Sequence, residues 1–359
     1  MQVVVRPTVP AIDTLIVGQG LAGSLLAWEL EQAGQRVMVI DDPRYASASR
    51  AAGGLMNPVT GPRLALLPDL QARCEQARAH YVALGERLGR ALVEPKRIRR
   101  LCRNGTERDR ARNINHPWIG AWQDGAPHDL WNAPFGSVPI LHAWRLDLKG
   151  LLSVLGDRWS TPGTTAASGP FDWMTVQRRG QSARWQGYSI GCVVSCEGAA
   201  IAQNPYWHAL PLQADGGESL VLRLPIALDE AISSGFTLLP LEHQTYWLGA
   251  THAPGLNACG PGVRGRKVLL DALATCMPKL PPIEVISHLA GTRMATPDRE
   301  PVLGRHPKHA WLAIFNGLGS RGILRAPDSA IRLAQHLVHD IPLPSALDVH
   351  RYDASCATS

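Results

Sequence analysis

The run Gly18-Gln19-Gly20-Leu21-Ala22-Gly23 constrains this chain more than any other feature, because of what surrounds it. It follows a short apolar, β-branched run, Thr14-Leu15-Ile16-Val17, and opens a helical pattern in which Leu21, Leu25, Leu26 and Leu30 recur at helical spacing. Gly34 closes the helix, and Arg36-Val37-Met38-Val39-Ile40 reads as a second strand ending at Asp41-Asp42. A strand, a helix and a strand in about thirty residues form the unit of a parallel sheet. In such a unit Gly18 makes the tight turn, Gly20 lets backbone N–H groups approach a pyrophosphate, and Gly23 lets helix and strand pack closely. Leu21 and Ala22 lie between them at the helix N-terminus, which favours the phosphates. Asp41 is the expected acceptor for ribose hydroxyls, with Asp42 as its neighbour and substitute. The pattern implies a bound dinucleotide without choosing which one.

The 359 residues allow two medium domains, and 45% hydrophobic with 18% charged residues exclude extended disorder. No apolar run approaches the roughly 18 residues of a membrane span, and the N-terminus lacks the layout of a secretory signal, so a cytoplasmic protein without membrane contact is expected. Seven scattered cysteines contain no CxxC pair, which excludes a disulfide framework and a zinc site; they read as reduced and mostly buried, and no metal is expected. The formal charge of +6 is concentrated. Between Arg87 and Arg112 ten basic residues face three acids, a net +7 that exceeds the charge of the whole chain. Such a run most simply forms a solvated helix end and loop; the alternative is a patch for an anionic macromolecule such as RNA.

Along the rest of the chain, residues 46–62 read as an extended loop and Pro68–Leu92 as a long amphipathic helix. Leu146–Trp159 reads as a further helix, with Asp147 favouring its N-terminus. Cys192–Cys196 and Trp311–Phe315 read as buried strands, Lys267–Cys276 as a helix, and a last helix is expected from Pro327, which suits a first helical position. Alternating segments between Gly216 and His252 predict an antiparallel sheet. The expected fold is α/β (α+β overall), a Rossmann-like dinucleotide-binding domain with an inserted, mostly antiparallel β substrate domain. Residues 1–85, 140–205 and 285–345 are assigned to the first, 86–139 and 206–284 to the second, and 346–359 to a C-terminal tail.

The stretch Gly291-Thr292-Arg293-Met294-Ala295-Thr296-Pro297-Asp298-Arg299-Glu300-Pro301-Val302-Leu303-Gly304 is followed by the Trp311 strand. Then come Asn316-Gly317-Leu318-Gly319-Ser320-Arg321-Gly322-Ile323 and Ala326-Pro327. With the N-terminal fingerprint, this resembles the D-amino-acid oxidase superfamily of FAD-dependent oxidoreductases, which includes glycine and sarcosine oxidases. The second glycine-rich run is also similar to the oxidase half of the bacterial bifunctional enzyme that makes methylaminomethyl-uridine in tRNA. The resemblance implies non-covalent FAD. It assigns Ser49, Arg50, Ala52, Gly53 and Gly54 to a loop along the pyrophosphate and flavin, and Gly198 to a strand end passing close to the cofactor. Gly317, Gly319, Ser320, Arg321, Gly322 and Ile323 are assigned to a turn at the flavin pyrimidine edge, where N–H groups would stabilise negative charge. It also makes Arg293 the catalytic-site residue that holds a substrate carboxylate by a bidentate pair; a structural pairing with Asp298 is the alternative.

The run from Gly54 to Arg63 departs from the best-known members. Its polar residues Asn57, Thr60 and Arg63 are candidates for the pocket, as are Tyr246 and His252, against the alternatives of a turn stapled by side chains and of core aromatic or structural histidine. The function implied is oxidation of the C–N bond of a small amino acid or secondary amine by hydride transfer, with the imine then hydrolysed. Its partners are a small amine substrate and oxygen or another electron acceptor. The alternatives are flavin-dependent oxidation of a modified nucleoside in tRNA, and a non-catalytic flavin-binding partner protein.

Overall fold

The structure is a computed structural model and describes residues 10–42, 47–59, 64, 69–125, 130–160, 166–168, 171–257 and 260–352. The chain divides into two compact units. The first comprises residues 1–45, 152–213 and 293–359, and the second 46–151 and 214–292. Residues 46–85 and 140–151, which the sequence assigns to the dinucleotide domain, pack with the second unit.

The first unit is built on a sheet in the order β16 (Val302–His306), β17 (His309–Asn316), β9 (Tyr188–Ser195), β1 (Ala11–Val17), β2 (Val37–Asp41) and β6 (Ala166–Ser168). A hairpin of β7 (Gln177–Arg179) and β8 (Ser182–Trp185) extends β9. The strands β17, β9, β1, β2 and β6 are mutually parallel, and β1 is buried between β9 and β2. Leu15 and Ile16 have no solvent exposure. Two helices cover one another on this sheet, α1 (Leu21–Gln32) and α7 (Gly322–His339). A further helix, α5 (Leu148–Ser160), begins in the second unit and runs into the first.

The second unit holds a nine-stranded, mostly antiparallel sheet. Its path is β14 (Ala253–Pro254), β10 (Gln213–Arg223), β13 (Thr245–Gly249), β12 (Thr237–Pro240), β11 (Ala231–Ser233), β4 (Val93–Leu101), β5 (Ser137–Leu146) and β3 (Leu55–Met56), with β15 (Glu284–Ala295) paired to β10. The helices α2 (Ala48–Ala51), α3 (Leu70–Arg87), α4 (Gly105–Arg112) and α6 (Val263–Cys276) complete it. Leu220, Leu222 and Leu248 pack with Leu269 and Leu273 of α6 in its main core.

Four local expectations are corrected. The 46–62 loop contains α2 and β3, both short and held by long-range contacts. The arginine-rich segment contains a strand, β4, paired along its length with β5, and a helix, α4. Pro327 does not open the last helix: α7 starts at Gly322, and Pro327 lies inside it, where only the bond back to Ile323 is lost. Residues 348–352, assigned to a separate C-terminal tail, belong to the first unit: Leu303 N–H donates to Leu347 O at 2.9 Å and the turn Val349–Tyr352 packs on β16.

Candidate functional site

In the first unit the fingerprint takes the predicted strand–turn–helix form. Gly18 has φ +105° and its N–H donates to Ile40 O at 2.7 Å, closing the turn against β2. A Cβ on Gly18 would lie 2.5 Å from Cys196 O, and a Cβ on Gly23 would collide with Gly18 O. Both positions therefore exclude any side chain, so α1 can start directly over the end of β1. Asp41 Oδ1 accepts the Gln19 N–H at 2.8 Å, tying the fingerprint to the end of β2. The Gln19 amide reaches Leu152 O on α5 at 3.3 Å. Asp42 is partly exposed at the same edge.

The same edge carries Gly198, just beyond β9, with φ +54° and open space where a Cβ would stand. Its carbonyl accepts from Asn316 Nδ2 at 3.0 Å, so the ends of β9 and β17 are fastened together. Next to Gly198 stands a group the sequence reading missed. The Glu197 carboxylate accepts from Ser195 Oγ at 2.6 Å, Asn204 Nδ2 at 2.7 Å and Trp173 Nε1 at 2.9 Å. Loss of water raises its pKa, against the pull of the three donors. A single acid after a strand carries no periodic signal, which is why it was not legible.

The second glycine-rich turn runs from Gly317 (φ +76°) through Gly319, Ser320 and Arg321 into Gly322 and Ile323 at the start of α7. Ala295, the last residue of β15, is bridged to Leu318 of this turn. Arg293, two residues earlier on β15, is partly exposed. The acid weighed as its structural partner is engaged elsewhere: Asp298 accepts from Arg351 Nε at 2.9 Å and from the Tyr352 hydroxyl at 3.0 Å.

In the second unit the loop Ser49–Gly54 is held by distant strands. The Ala51 carbonyl accepts from Ser219 Oγ at 2.8 Å and from Trp247 Nε1 at 2.9 Å. A Cβ on Gly53 would lie 2.6 Å from the Trp247 ring, and one on Gly54 (φ +83°) would collide with Leu146 O. Ser47 is bridged to Thr292, and Gly291 packs against Ser47 and Ala48 so closely that a Cβ would come within 2.8 Å. Arg50 and Ala52 are exposed and Ser49 partly so. Of the pocket candidates, Asn57 forms a stapled turn, its Oδ1 accepting Val59 N–H at 2.9 Å. Arg63 and Thr60 lie outside the described residues. Tyr246 is corrected: it is 3% exposed in the main core and its hydroxyl donates to Ile226 O at 2.8 Å. Alternation along β13 puts its neighbour Trp247 on the opposite face, toward the loop. His252 is exposed and Nδ1 lies 3.2 Å from Asp215 Oδ2.

Most of the basic side chains in the arginine-rich segment are paired with carboxylates. Arg90 pairs with Asp147, Lys96 with Glu94, Arg97 with Asp229, Arg99 with Glu230, Arg100 and Arg103 with Glu107, Arg108 with Asp109 and Arg112 with Asp124. Four of those acids lie outside the segment, so a one-dimensional charge count overstated the local field. The five described cysteines are buried thiols; Cys259 and Cys356 lie outside the described residues. No described helix is long and apolar enough to cross a membrane.

Comparison with known proteins places this geometry. Residues 13–336 match the family described as DAO, FAD dependent oxidoreductase. Glycine oxidase of Geobacillus kaustophilus is 25% identical over 90% of this chain and 92% of its own length. The tRNA 5-methylaminomethyl-2-thiouridine biosynthesis bifunctional protein of Caulobacter vibrioides is 28% identical over 95% of this chain, which spans only 57% of that protein. Among solved structures, the Geobacillus glycine oxidase superposes with a TM-score of 0.76 over 93% of this chain and 96% of that one, at 22% identity. Iminodiacetate oxidase from Chelativorans gives 0.72 over 92% and 97%, also at 22% identity. The fold is thus that of glycine oxidase, a Rossmann-like sheet with a mostly antiparallel substrate-domain sheet. The chain belongs to the DAO family of FAD-dependent oxidoreductases, enzymes of amino-acid and amine oxidation that use FAD as cofactor.

Proposed function

We propose that this enzyme oxidises the C–N bond of a small amino acid or N-substituted glycine whose carboxylate is held by Arg293. Glycine and iminodiacetate are the substrates named for two of its relatives, and both present such a carboxylate beside the reacting carbon. The observation that carries the reading is the end of β15. It delivers Arg293 two residues before Ala295, which is bridged to the Gly317–Ile323 turn, so a carboxylate-binding guanidinium and a turn rich in N–H groups share one edge of the first unit.

The residues of that unit fit FAD. Gly18 and Gly23 pack so closely on backbone that α1 starts directly over the end of β1, where its N-terminus would meet a pyrophosphate; Asp41 stands at the end of β2 for a ribose, and Gly198 faces open space at the end of β9. FAD, when bound, supplies the hydride acceptor. The chain's own part is positional and electrostatic. Arg293 fixes the carboxylate and with it the direction of the α C–H bond. The Gly317–Ile323 turn offers N–H groups to negative charge developing during the reaction, and loop 49–54 is stiffened by Ser219 and Trp247. The oxidised substrate leaves as an imine and is hydrolysed by water.

A modified nucleoside of tRNA is the second reading, favoured by 28% identity to the Caulobacter bifunctional protein across nearly the whole chain. The pairing of the basic segment speaks against a phosphate-binding role for it. Anaerobic addition of glycine, sarcosine or iminodiacetate to the purified flavoprotein should bleach the visible flavin band, and Arg293→Ala should raise KM by more than about tenfold. Bleaching by undermodified tRNA and by none of the three amino acids would favour the nucleoside.

A further inference from the structure

Residues 348–352, part of the segment set apart in the sequence as a C-terminal tail, are fastened like a buckle to the loop that leaves the Arg293 strand. In the turn Val349–Tyr352, one guanidinium serves four acceptors. Arg351 Nε donates to Asp298 Oδ2 at 2.9 Å, Nη2 to Glu300 O at 3.1 Å and Pro301 O at 3.0 Å, and Nη1 to Asp348 O at 3.1 Å. The Tyr352 hydroxyl donates to the same Asp298 oxygen at 3.0 Å, and the Arg351 guanidinium sits 4.5 Å from the Tyr352 ring centroid. The Arg351 side chain is only 14% exposed.

The loop so held, Thr296–Pro301, is short of apolar packing. Pro297, Asp298 and Arg299 are exposed, and Arg299 adopts φ +62°. Its shape is set by polar contacts instead. Thr296 Oγ1 donates to Glu300 O at 2.5 Å, Glu300 N–H to Asp298 Oδ1 at 3.0 Å, and Arg325 Nη2 on α7 to Glu300 Oε1 at 3.1 Å. Burial works the other way, yet the Glu300 N–H, Arg351 and Tyr352 hold the Asp298 carboxyl down to about 2, so the buckle stays ionised through ordinary pH. One end of this loop is β15, with Arg293 three residues before Thr296; the other is β16.

A guanidinium that must meet a carboxylate in bidentate geometry needs a fixed backbone, and just beyond the bridge from Ala295 to Leu318 the end of β15 runs directly into loop 296–301. We propose that Arg351 is a positioning residue for substrate binding: the C-terminal turn clamps loop 296–301, and through it sets the Arg293 backbone for the substrate carboxylate. The inference rests on the reading of Arg293 given above.

The experiment titrates acetate, a carboxylate without an oxidisable amine, into the holoenzyme and follows the visible flavin band. KM and kcat for the amine that bleaches it are measured alongside, with the melting temperature of each variant. Arg351→Ala is expected to weaken acetate binding about five- to tenfold and to raise KM by the same factor, with kcat changed less than about threefold. Tyr352→Phe, which removes one hydrogen bond, is expected to weaken acetate about twofold with little change in melting temperature. Arg351→Lys keeps the charge but not the fork and should stay close to the alanine variant in affinity. If Arg351→Ala does not fold, the lysine and phenylalanine variants decide. Variants that lower the melting temperature but bind acetate within about 1.5-fold of the parent would overturn the proposal and leave the buckle merely structural. Arg293→Ala separates the two levels: acetate binding lost there but intact in the Arg351 and Tyr352 variants sinks the buckle alone, whereas acetate binding retained in Arg293→Ala sinks the reading of Arg293 and the buckle with it.

Discussion

The fingerprint at Gly18–Gly23 and the loop at Ser47–Gly54 are both glycine-dependent turns, but they are made rigid in different ways. The fingerprint is closed locally, within its own strand–helix–strand unit and the adjoining β9: Gly18 N–H meets Ile40 O, Gly23 lies on Gly18 O, and the Asp41 carboxylate accepts the Gln19 N–H. The loop is closed by side chains from far along the chain: Ser219 and Trp247 both bond the Ala51 carbonyl, 168 and 196 residues away. A turn closed locally tolerates no side chain at its contact points but needs no partner elsewhere. A turn closed at long range depends on a few hydrogen bonds, each worth about 1 kcal/mol. The two should therefore break differently.

The largest effect is expected at the fingerprint. Gly23→Val places a branched side chain against Gly18 O and Ile16, so α1 cannot seat on β1. FAD retention should fall at least a hundredfold, or the protein should fail to fold, as read by fluorescence of bound flavin and by thermal melting. Next comes Glu197→Ala, which leaves Ser195, Asn204 and Trp173 facing a void beside Gly198. About 2–3 kcal/mol of stability should be lost. Unchanged melting would mean the strand end at Gly198 is held by Asn316 alone. At the loop, Trp247→Phe keeps the ring over Gly53 but removes the N–H to Ala51 O, and FAD affinity should weaken only about fivefold, near 1 kcal/mol. A loss as large as that of Gly23→Val would erase the distinction drawn here. The smallest effect belongs to the charged surface: Arg97→Ala, whose pair with Asp229 is exposed on both sides, should shift stability by less than about 0.5 kcal/mol.

Acid provides a further test within the first unit, away from both turns. Burial and the neighbouring His309 ring lower the His306 pKa to about 4 from an ordinary 6.5. The folded state then holds this imidazole neutral while the unfolded chain takes up a proton, so its contribution is whole above pH 6.5 and is lost as pH falls from 6.5 toward 4. At most about 3 kcal/mol is at stake. His306→Phe should flatten the stability–pH curve across that window, and a curve unchanged there would show that His306 does not titrate in it.

This difference in closure also governs what could be read from sequence. The strand–helix–strand unit, the buried strands at Cys192 and Trp311, and the second glycine-rich turn are each specified by residues near one another, so periodicity and spacing reveal them. Helix α2 and strand β3 have no such signal, since four and two residues cannot show a period and their partners lie on β15, β13 and β5. Tyr246, a pocket candidate, has an aromatic neighbour in Trp247; only the phase of β13 decides which of the two faces the core, and that phase is set by pairing with β10 and β12. The arginines between Arg87 and Arg112 were legible as charge but not as ion pairs, because Asp124, Asp147, Asp229 and Glu230 come from other parts of the chain. Pro327 misled because a proline one and a half turns into a helix is tolerated where one lost hydrogen bond is the only cost.

The order of strands in the first unit has a consequence for how the protein comes into being. The central strand β1 is made well before its neighbour β9, which emerges some 170 residues later, and β17 closes the row only near residue 316. At about 5–20 residues per second, the apolar run Leu15–Val17 waits roughly 9–36 s for β9, and β9 in turn waits for β17. Sheets closed by such distant segments fold slowly. A newborn chain therefore passes through a stage in which a strand buried in the finished sheet is an exposed hazard, and truncating it before β17 should yield aggregate, not a smaller flavoprotein.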